Sequence, residues 1–213
     1  ISCNQNAGEV TSLETEQQKI SYTIGSDIGK NLQRSMYDFD QAALVQGMKD
    51  AMAKKELLLD DTELQEMMKL FRKLAGEAQK KSQKEKGDIN LLEGQKFLAK
   101  NKANEGVVGL PSGLQYKILV EGTGKKPKAT DKVKVHYKGT LINGTEFDSS
   151  FKRNQPAEFP VNGVIKGWTE ALQLMAEGSK WMLYIPSELA YGPRGAGGGQ
   201  IGPNATLIFE VEL

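Results

Sequence analysis

Apolar residues recur at helical spacing along the first half of the chain and alternate along the second. Across residues 15–33, Ile20, Ile24, Ile28 and Leu32 stand every four residues, which is one continuous helical stripe. Gly25 and Gly29 lie one turn apart beside it. Glycine inside a helix costs about 1 kcal/mol relative to alanine, so this pair predicts close approach of another helix. Asp40 can cap a second helix carrying Leu44, Met48 and Met52 along one face. Asp60, Asp61 and Thr62 open a long third helix, in which Leu64, Met68, Phe71, Leu74 and Ala78 keep the period. Residues 79–88 are almost wholly polar, with Lys80, Lys81, Lys84 and Lys86, and apolar spacing resumes at Ile89, Leu91, Leu92 and Leu98. Gly87 permits a break here. We read instead a continuous stalk, exposed all round between two bodies. The lysine run has no interleaved aromatics, so it reads as a solvated face rather than a nucleic-acid patch.

The helical regime ends in a run containing Gly106, Gly109, Pro111 and Gly113. Residues 114–119 then alternate as a half-buried strand. In residues 133–138, Val133, Val135 and Tyr137 face one way and Lys134, His136 and Lys138 the other. His136 thus falls on the polar face, with no nucleophile evident beside it. Asn143-Gly144 is a hairpin turn signal, and residues 145–148, 181–185 and 205–213 read as further strands. Between them, Gly163-Val164-Ile165-Lys166-Gly167-Trp168 brackets a short apolar run with glycines and leads into a helix over residues 168–178. Trp168, Leu172 and Met175 share one face of that helix, and Gly178 is its natural stop. Trp168 is either a core plug or the floor of a pocket. The predicted class is α+β: an all-helical N-terminal part, then a strongly bent antiparallel sheet around one short helix. Glycines 195 and 197–199 precede no helix and lack a Gly-Lys-Ser/Thr, so they read as a rim rather than a phosphate loop.

Composition narrows the chemistry. A chain of 213 residues can bury a substantial core, and a net charge of +1 argues against a strongly basic nucleic-acid binder. One Cys and one His exclude an intrachain disulfide and a Cys/His zinc cluster. No run approaches the roughly eighteen apolar residues of a membrane helix. Five of the seven Met residues precede residue 70. Two short helices and a half-apolar long one make a thin core, so we read this part as completed by a second copy of itself, the alternative being that it packs against its own C-terminal domain. Because the sequence starts at Ile1, a processed or truncated product is expected. Cys3, after the small Ser2 and before a mostly polar stretch, has two readings: a lipidated bacterial lipoprotein N-terminus, or an incidental thiol.

Five local patterns occur in order: Val135-His136-Tyr137-Lys138-Gly139; Gly144 to Phe147-Asp148-Ser149-Ser150; Val164-Ile165-Lys166-Gly167-Trp168; Leu189-Ala190-Tyr191-Gly192; and Pro203-Asn204-Ala205-Thr206-Leu207-Ile208-Phe209. Together they resemble the FKBP-type peptidyl-prolyl cis-trans isomerases, from about Leu110 to Leu213. The helical half, with Ser21-Tyr22-Thr23-Ile24-Gly25, and Leu110-Pro111-Ser112-Gly113-Leu114-Gln115-Tyr116 resemble the macrophage infectivity potentiator (Mip-like) branch.

That resemblance implies the FKBP fold and a V-shaped homodimer of the bacterial cell envelope, joined through the helices. Under it the chain divides into a tether (1–14), a helical dimerisation domain (15–78), a stalk (79–105) and an isomerase domain (106–213). The implied catalytic residues are Tyr137, Phe147, Asp148, Tyr191 and Phe209. Val164, Ile165, Trp168, Arg153, Ala190 and Ile201 would bind substrate. Trp168 becomes the floor, Tyr137, Phe147 and Phe209 the walls, and Ile201 part of the rim. The Ile165 N–H and Tyr191 hydroxyl would take substrate carbonyls, while Asp148, Arg153 and Tyr137 form a polar corner. No metal or cofactor is implied. The implied partners are proline-containing unfolded or partly folded polypeptides, a second copy through the N-terminal helices, macrolide inhibitors and a lipid anchor at Cys3, and the implied location is the bacterial periplasm or outer membrane. Departures from the family pattern are Ala157 in place of an aromatic, Gly163 in place of an acid, and a rim without histidine. The alternative function is a non-catalytic peptide-binding chaperone module.

Overall fold

A computed structural model describes residues 10–213; Cys3 and the residues around it lie outside that range. The chain divides into two compact units, Ile1–Ser82 and Gln83–Leu213. In the first, α1 (Glu16–Arg34) begins with a capping box. The Thr15 hydroxyl accepts the Gln18 N–H at 3.2 Å, and the Gln18 side chain accepts the Thr15 N–H at 3.0 Å. Asp40 caps α2 (Gln41–Met52) by accepting the Ala43 N–H. Asp60 and Glu63 form a second capping box at the start of α3 (Asp61–Asn101).

Tyr37, Phe39 and Phe71 form an aromatic cluster with centroids 5.0–5.7 Å apart. Asp50 alone is buried among the described residues of this unit, where it accepts from the Gln46 amide. The α1 stripe lies bare: Ile20 is 60% exposed and Ile24 57%. Among the described residues, nothing approaches within 4 Å of where a Cβ on Gly25 or Gly29 would stand.

α3 runs unbroken through Gly87 over its 41 residues. Within the second unit its buried residues are Gly87, Gly94 and Asn101. These recur every seven positions and so lie on one face. That face packs on the sheet. Asn101 donates to the Gln115 side chain at 2.9 Å, the Gln115 amide donates to the Leu98 carbonyl, and Phe97 lies 6.0 Å from Tyr184.

The sheet comprises β1 (Val107–Gly109), β2 (Gln115–Val120), β3 (Lys132–Leu141), β4 (Glu146–Ser149), β5 (Ala157–Pro160), β6 (Lys180–Ile185) and β7 (Leu207–Glu212). Its order is β1-β2-β6-β7-β3-β4, with β5 paired to β3 and every pairing antiparallel. The alternation in β3 appears as expected, with Val133, Val135 and Tyr137 buried and Lys134 and Lys138 exposed. β1 and β5 were not anticipated; both are too short to show a period. The single short helix of this unit, α4 (Lys166–Leu172), begins two residues earlier than its pattern suggested and ends well before Gly178. After Leu172 the Leu174 and Met175 N–H groups still turn back to the Ala171 carbonyl, and the chain then closes against its neighbours: Glu177 N–H donates to the Lys125 carbonyl and Gly178 N–H to that of Leu213, which keeps the helix from running on to Gly178. Trp168, Leu172 and Met175 are nevertheless all buried, at 4%, 0% and 0% exposure. They pack with Leu114, Val135, Leu183, Ile185, Leu207 and Val211 into one core. Each such aliphatic side chain contributes roughly 1.5–3 kcal/mol by leaving water.

Candidate active site

A cavity of about 630 Å³ opens between α4, β3, β4, β5, β7 and the loop after Tyr191. Trp168 lies at its base. The ring stands edge-on to three others: Phe209 at 5.2 Å, Tyr137 at 5.3 Å and Phe159 at 6.0 Å. Trp168 is therefore both core plug and pocket floor, buried on one side and lining the cavity on the other. Helical geometry places it at the first turn of α4, where Val164 and Ile165 lead in and line the same wall.

A bulge builds the opposite wall. Gly139 pairs with Asp148 and Thr140 with Glu146, leaving Phe147 as the extra residue in β4. Phe147 consequently leans across β3 and meets Phe209 at 5.5 Å. A Cβ at Gly139 would stand 2.6 Å from the Phe147 ring and 2.7 Å from that of Phe209. Only glycine admits both rings here.

One wall is polar. The Tyr137 hydroxyl donates to Asp148 Oδ2 at 2.5 Å, Arg153 Nη1 donates to Asp148 Oδ1 at 2.5 Å, and Arg153 Nη2 donates to the Tyr137 oxygen at 2.9 Å. Burial by itself would raise the Asp148 carboxyl. The Tyr137 hydroxyl and Arg153 guanidinium outweigh it and hold the group below the ordinary carboxylate value. Tyr137 is pushed up by burial and by its bond to Asp148. Tyr191, on the cavity's edge, is raised by burial and then by the Asp148 charge. At neutral pH the site thus presents one carboxylate, one guanidinium and two neutral phenols against aromatic walls.

Among the residues expected to form the site, Tyr137, Phe147, Asp148, Val164, Ile165, Trp168, Tyr191, Ile201 and Phe209 all line the cavity. Arg153 stands behind Asp148 and reaches the cavity only through its bonds. Ala190 is not a wall residue; it is half-buried against the core beside Leu189. Phe159 and Gln200 line the cavity beyond the residues expected there, and Ala196 and Gly197 line it from the glycine run read as a rim. The signal for Phe159 was its alternation with Ala157 on a strand bounded by prolines, too brief to read. His136 does have a hydroxyl neighbour, contrary to expectation: Ser150 Oγ is 3.0 Å from its Nδ1. That hydroxyl is fully buried and accepts the Tyr137 N–H at 2.7 Å, so it braces β3 and is shielded from any substrate.

The cavity suits a reaction in which bonds rotate rather than break. Planar amides resist rotation by about 18–20 kcal/mol because resonance separates charge across N–C–O. Twisting removes that separation, so an apolar, water-poor pocket favours the twisted state over the planar one.

Family models match along nearly the whole chain. That of the FKBP-type peptidyl-prolyl cis-trans isomerase domain covers residues 123–213, and that of the domain amino-terminal to it covers residues 17–118. The chain is 47% identical over 207 residues to the outer membrane protein MIP of Legionella longbeachae, covering 97% of this chain and 88% of that protein. It is 43% identical over 207 residues to the peptidyl-prolyl cis-trans isomerase Mip of Coxiella burnetii, covering 97% and 90%. The crystal structure of FkpA from Escherichia coli superposes with a TM-score of 0.77 at 35% identity, covering 95% of this chain and 97% of that one. This chain belongs to the FKBP-type peptidyl-prolyl cis-trans isomerases, with the helical amino-terminal domain of the Mip and FkpA proteins. It is a peptidyl-prolyl isomerase.

Proposed function

We propose that the protein accelerates Xaa-Pro isomerisation in folding polypeptides of the bacterial cell envelope, working as a homodimer that also holds its clients as a chaperone. The observation that carries this reading is the aromatic cavity with a single charged corner. The prolyl ring rests on Trp168 between Tyr137, Phe147 and Phe209. The Ile165 N–H and the Tyr191 hydroxyl donate to carbonyls of the substrate. Asp148, held ionised by Tyr137 and Arg153, lies beside the amide as it twists. Macrolides with a proline-like ring compete for the same floor.

Support for the homodimer comes from α1, which has no buried residue although its isoleucines form an unbroken stripe. A second copy would remove that apolar face from water, and Gly25 and Gly29 would let its backbone come close. The isomerase unit is bounded by the tether, helices and stalk assigned above. An envelope location is supported by the similarity to the outer membrane protein MIP of Legionella longbeachae; lipidation of Cys3 would tie the protein there.

The test pairs Ile20→Glu/Ile24→Glu with the unaltered chain, using sedimentation, a proline tetrapeptide and a protein whose refolding is limited by proline isomerisation. The variant is expected to be monomeric, to retain peptide activity and to lose most of its effect on refolding. A variant that stays dimeric, or a monomer that accelerates refolding like the parent, would contradict the proposal.

A further inference from the structure

The rim of the cavity, residues 191–204, seats Ile201 in the core, but among the described residues it makes no backbone hydrogen bond to the strands that carry the rest of the site. Gly192, Gly195, Gly197, Gly198 and Gly199 all have positive φ, so little in the local sequence restricts the backbone. Its own backbone bonds stay within the segment. Gly195 N–H donates to the Gly192 carbonyl, Gly199 to Ala196 and Gln200 to Gly197, each at 3.3 Å; Ala196 and Ile201 exchange bonds at 2.9 and 3.1 Å, and Asn204 N–H donates to the Gly192 carbonyl at 2.8 Å. Yet this segment supplies Tyr191, Ala196, Gln200 and Ile201 to the cavity.

What fastens it is α3. Asn90 Nδ2 donates to the Pro203 carbonyl at 2.8 Å, and Asn204 Nδ2 donates to the Gly87 carbonyl at 3.3 Å. The helix backbone lies directly against this base. A Cβ at Gly87 would stand 3.2 Å from Asn204 Nδ2 and 3.4 Å from Pro203 Cβ. One at Gly94 would stand 2.2 Å from Thr206 Oγ1. Asn204 has a left-handed backbone at φ 53°. It therefore joins the helix through its side chain and the rim through its N–H.

We infer that Asn90 and Asn204 are positioning residues for substrate binding: through them, residues 87–94 of α3 set where the rim stands over the cavity. The inference rests on the cavity being the isomerase site. Trp168 and the Asp148 corner sit on α4, β3 and β4, which neither asparagine touches. Loosening the rim should therefore weaken substrate binding and spare the rotation step.

The full-length chain carrying Asn90→Ala or Asn204→Gly tests this. Glycine accepts φ 53° freely, so Asn204→Gly removes the side-chain tie without straining the turn. kcat and KM are measured separately on a proline tetrapeptide, with amide hydrogen exchange as a second readout. A hydrogen bond of ordinary net strength corresponds to about a fivefold change in an equilibrium. Each variant should raise KM about fivefold, leave kcat within about twofold, and speed exchange at the Ile201 and Asn204 amides. Phe97→Leu, which loosens α3 at Tyr184 away from the rim, should lower stability and leave KM alone. The inference is overturned by unchanged KM in Asn204→Gly, by a kcat loss matching the KM change, or by an equal KM rise in Phe97→Leu. The unaltered chain is the reference; its failure to act on the peptide would count against the isomerase site rather than the α3 tie.

Discussion

Replacing Asp148 with asparagine keeps the side chain's shape and removes its charge. In the native site the carboxylate takes the Tyr137 hydroxyl and the Arg153 guanidinium together, each at 2.5 Å. Asparagine offers one oxygen and one amide nitrogen, so it can accept from only one of the two through oxygen. A hydrogen bond to a charged group is worth roughly 1.5–3 kcal/mol when shielded. Asp148 and Arg153 are 40% and 51% exposed at the side chain, so solvent screens their pairing and the Arg153 contact adds little. What remains is the half-buried Tyr137 bond and the field at the amide, together about 1–2 kcal/mol. At about 1.36 kcal/mol per decade, kcat/KM should fall roughly five- to thirtyfold. Because the Tyr137 bond is present in the folded protein without substrate, folding stability should fall too, by about 1 kcal/mol. The assay is the cis-to-trans rate of a proline tetrapeptide followed by magnetisation exchange, beside a thermal melt. A variant with Tyr137 and Arg153 still in place and activity within twofold of the parent would refute the argument.

Other expectations follow from the same geometry. Gly139→Ala forces the Phe147 and Phe209 rings apart, so overpacking should cost about 1–3 kcal/mol in a denaturant titration, and activity should drop with it. Leu172→Ala, at a fully buried position of α4, should cost about 2–5 kcal/mol with no direct effect on the polar corner. For pH, the Asp148 carboxyl titrates below its ordinary value in the folded protein. Its contribution is then complete above the unfolded value of roughly 4 and is lost as pH falls through the lower folded value. Activity should therefore stay level from neutrality down to about pH 5 and decline only in stronger acid. A fall centred near pH 6–7 would place the ionisation on another group.

Much of this architecture was legible before any coordinates. Periodicity located α1, α2 and α3, and the capping residues Thr15, Asp40 and Asp60 stand where side-chain chemistry wants them. Strict alternation located β3, whose inward residues are the buried ones. Where reading failed, the information was not local. α4 does not run on to Gly178, because Lys125 and Leu213, both distant in sequence, claim the Glu177 and Gly178 N–H groups. β1 and β5 are held by partners rather than by propensity, and three or four residues carry no period. The site shows the same division. Aromatic and acidic side chains within the ordered motifs were recoverable by resemblance and the glycine run was legible as a rim, whereas Phe159, on the short β5, and Gln200 enter the cavity by paths that no spacing reveals. Ala190 sits beside Tyr191 in sequence but turns into the core. The packing face of α3 was the least legible: Gly87 lies in the lysine-rich polar run and Gly94 just beyond it, and the only signature of either is a missing side chain.

If the cavity twists its substrate's amide by shape and field alone, the decisive comparison is the cis-to-trans exchange rate of a Leu-Pro peptide with the unaltered protein and with Trp168→Ala. The native protein should accelerate exchange strongly, with an equal rate in light and heavy water because no proton is transferred. Trp168→Ala, while still folded at low temperature, should lose most of that acceleration. Full activity without the Trp168 floor, or a solvent isotope effect well above unity, would contradict this mechanism.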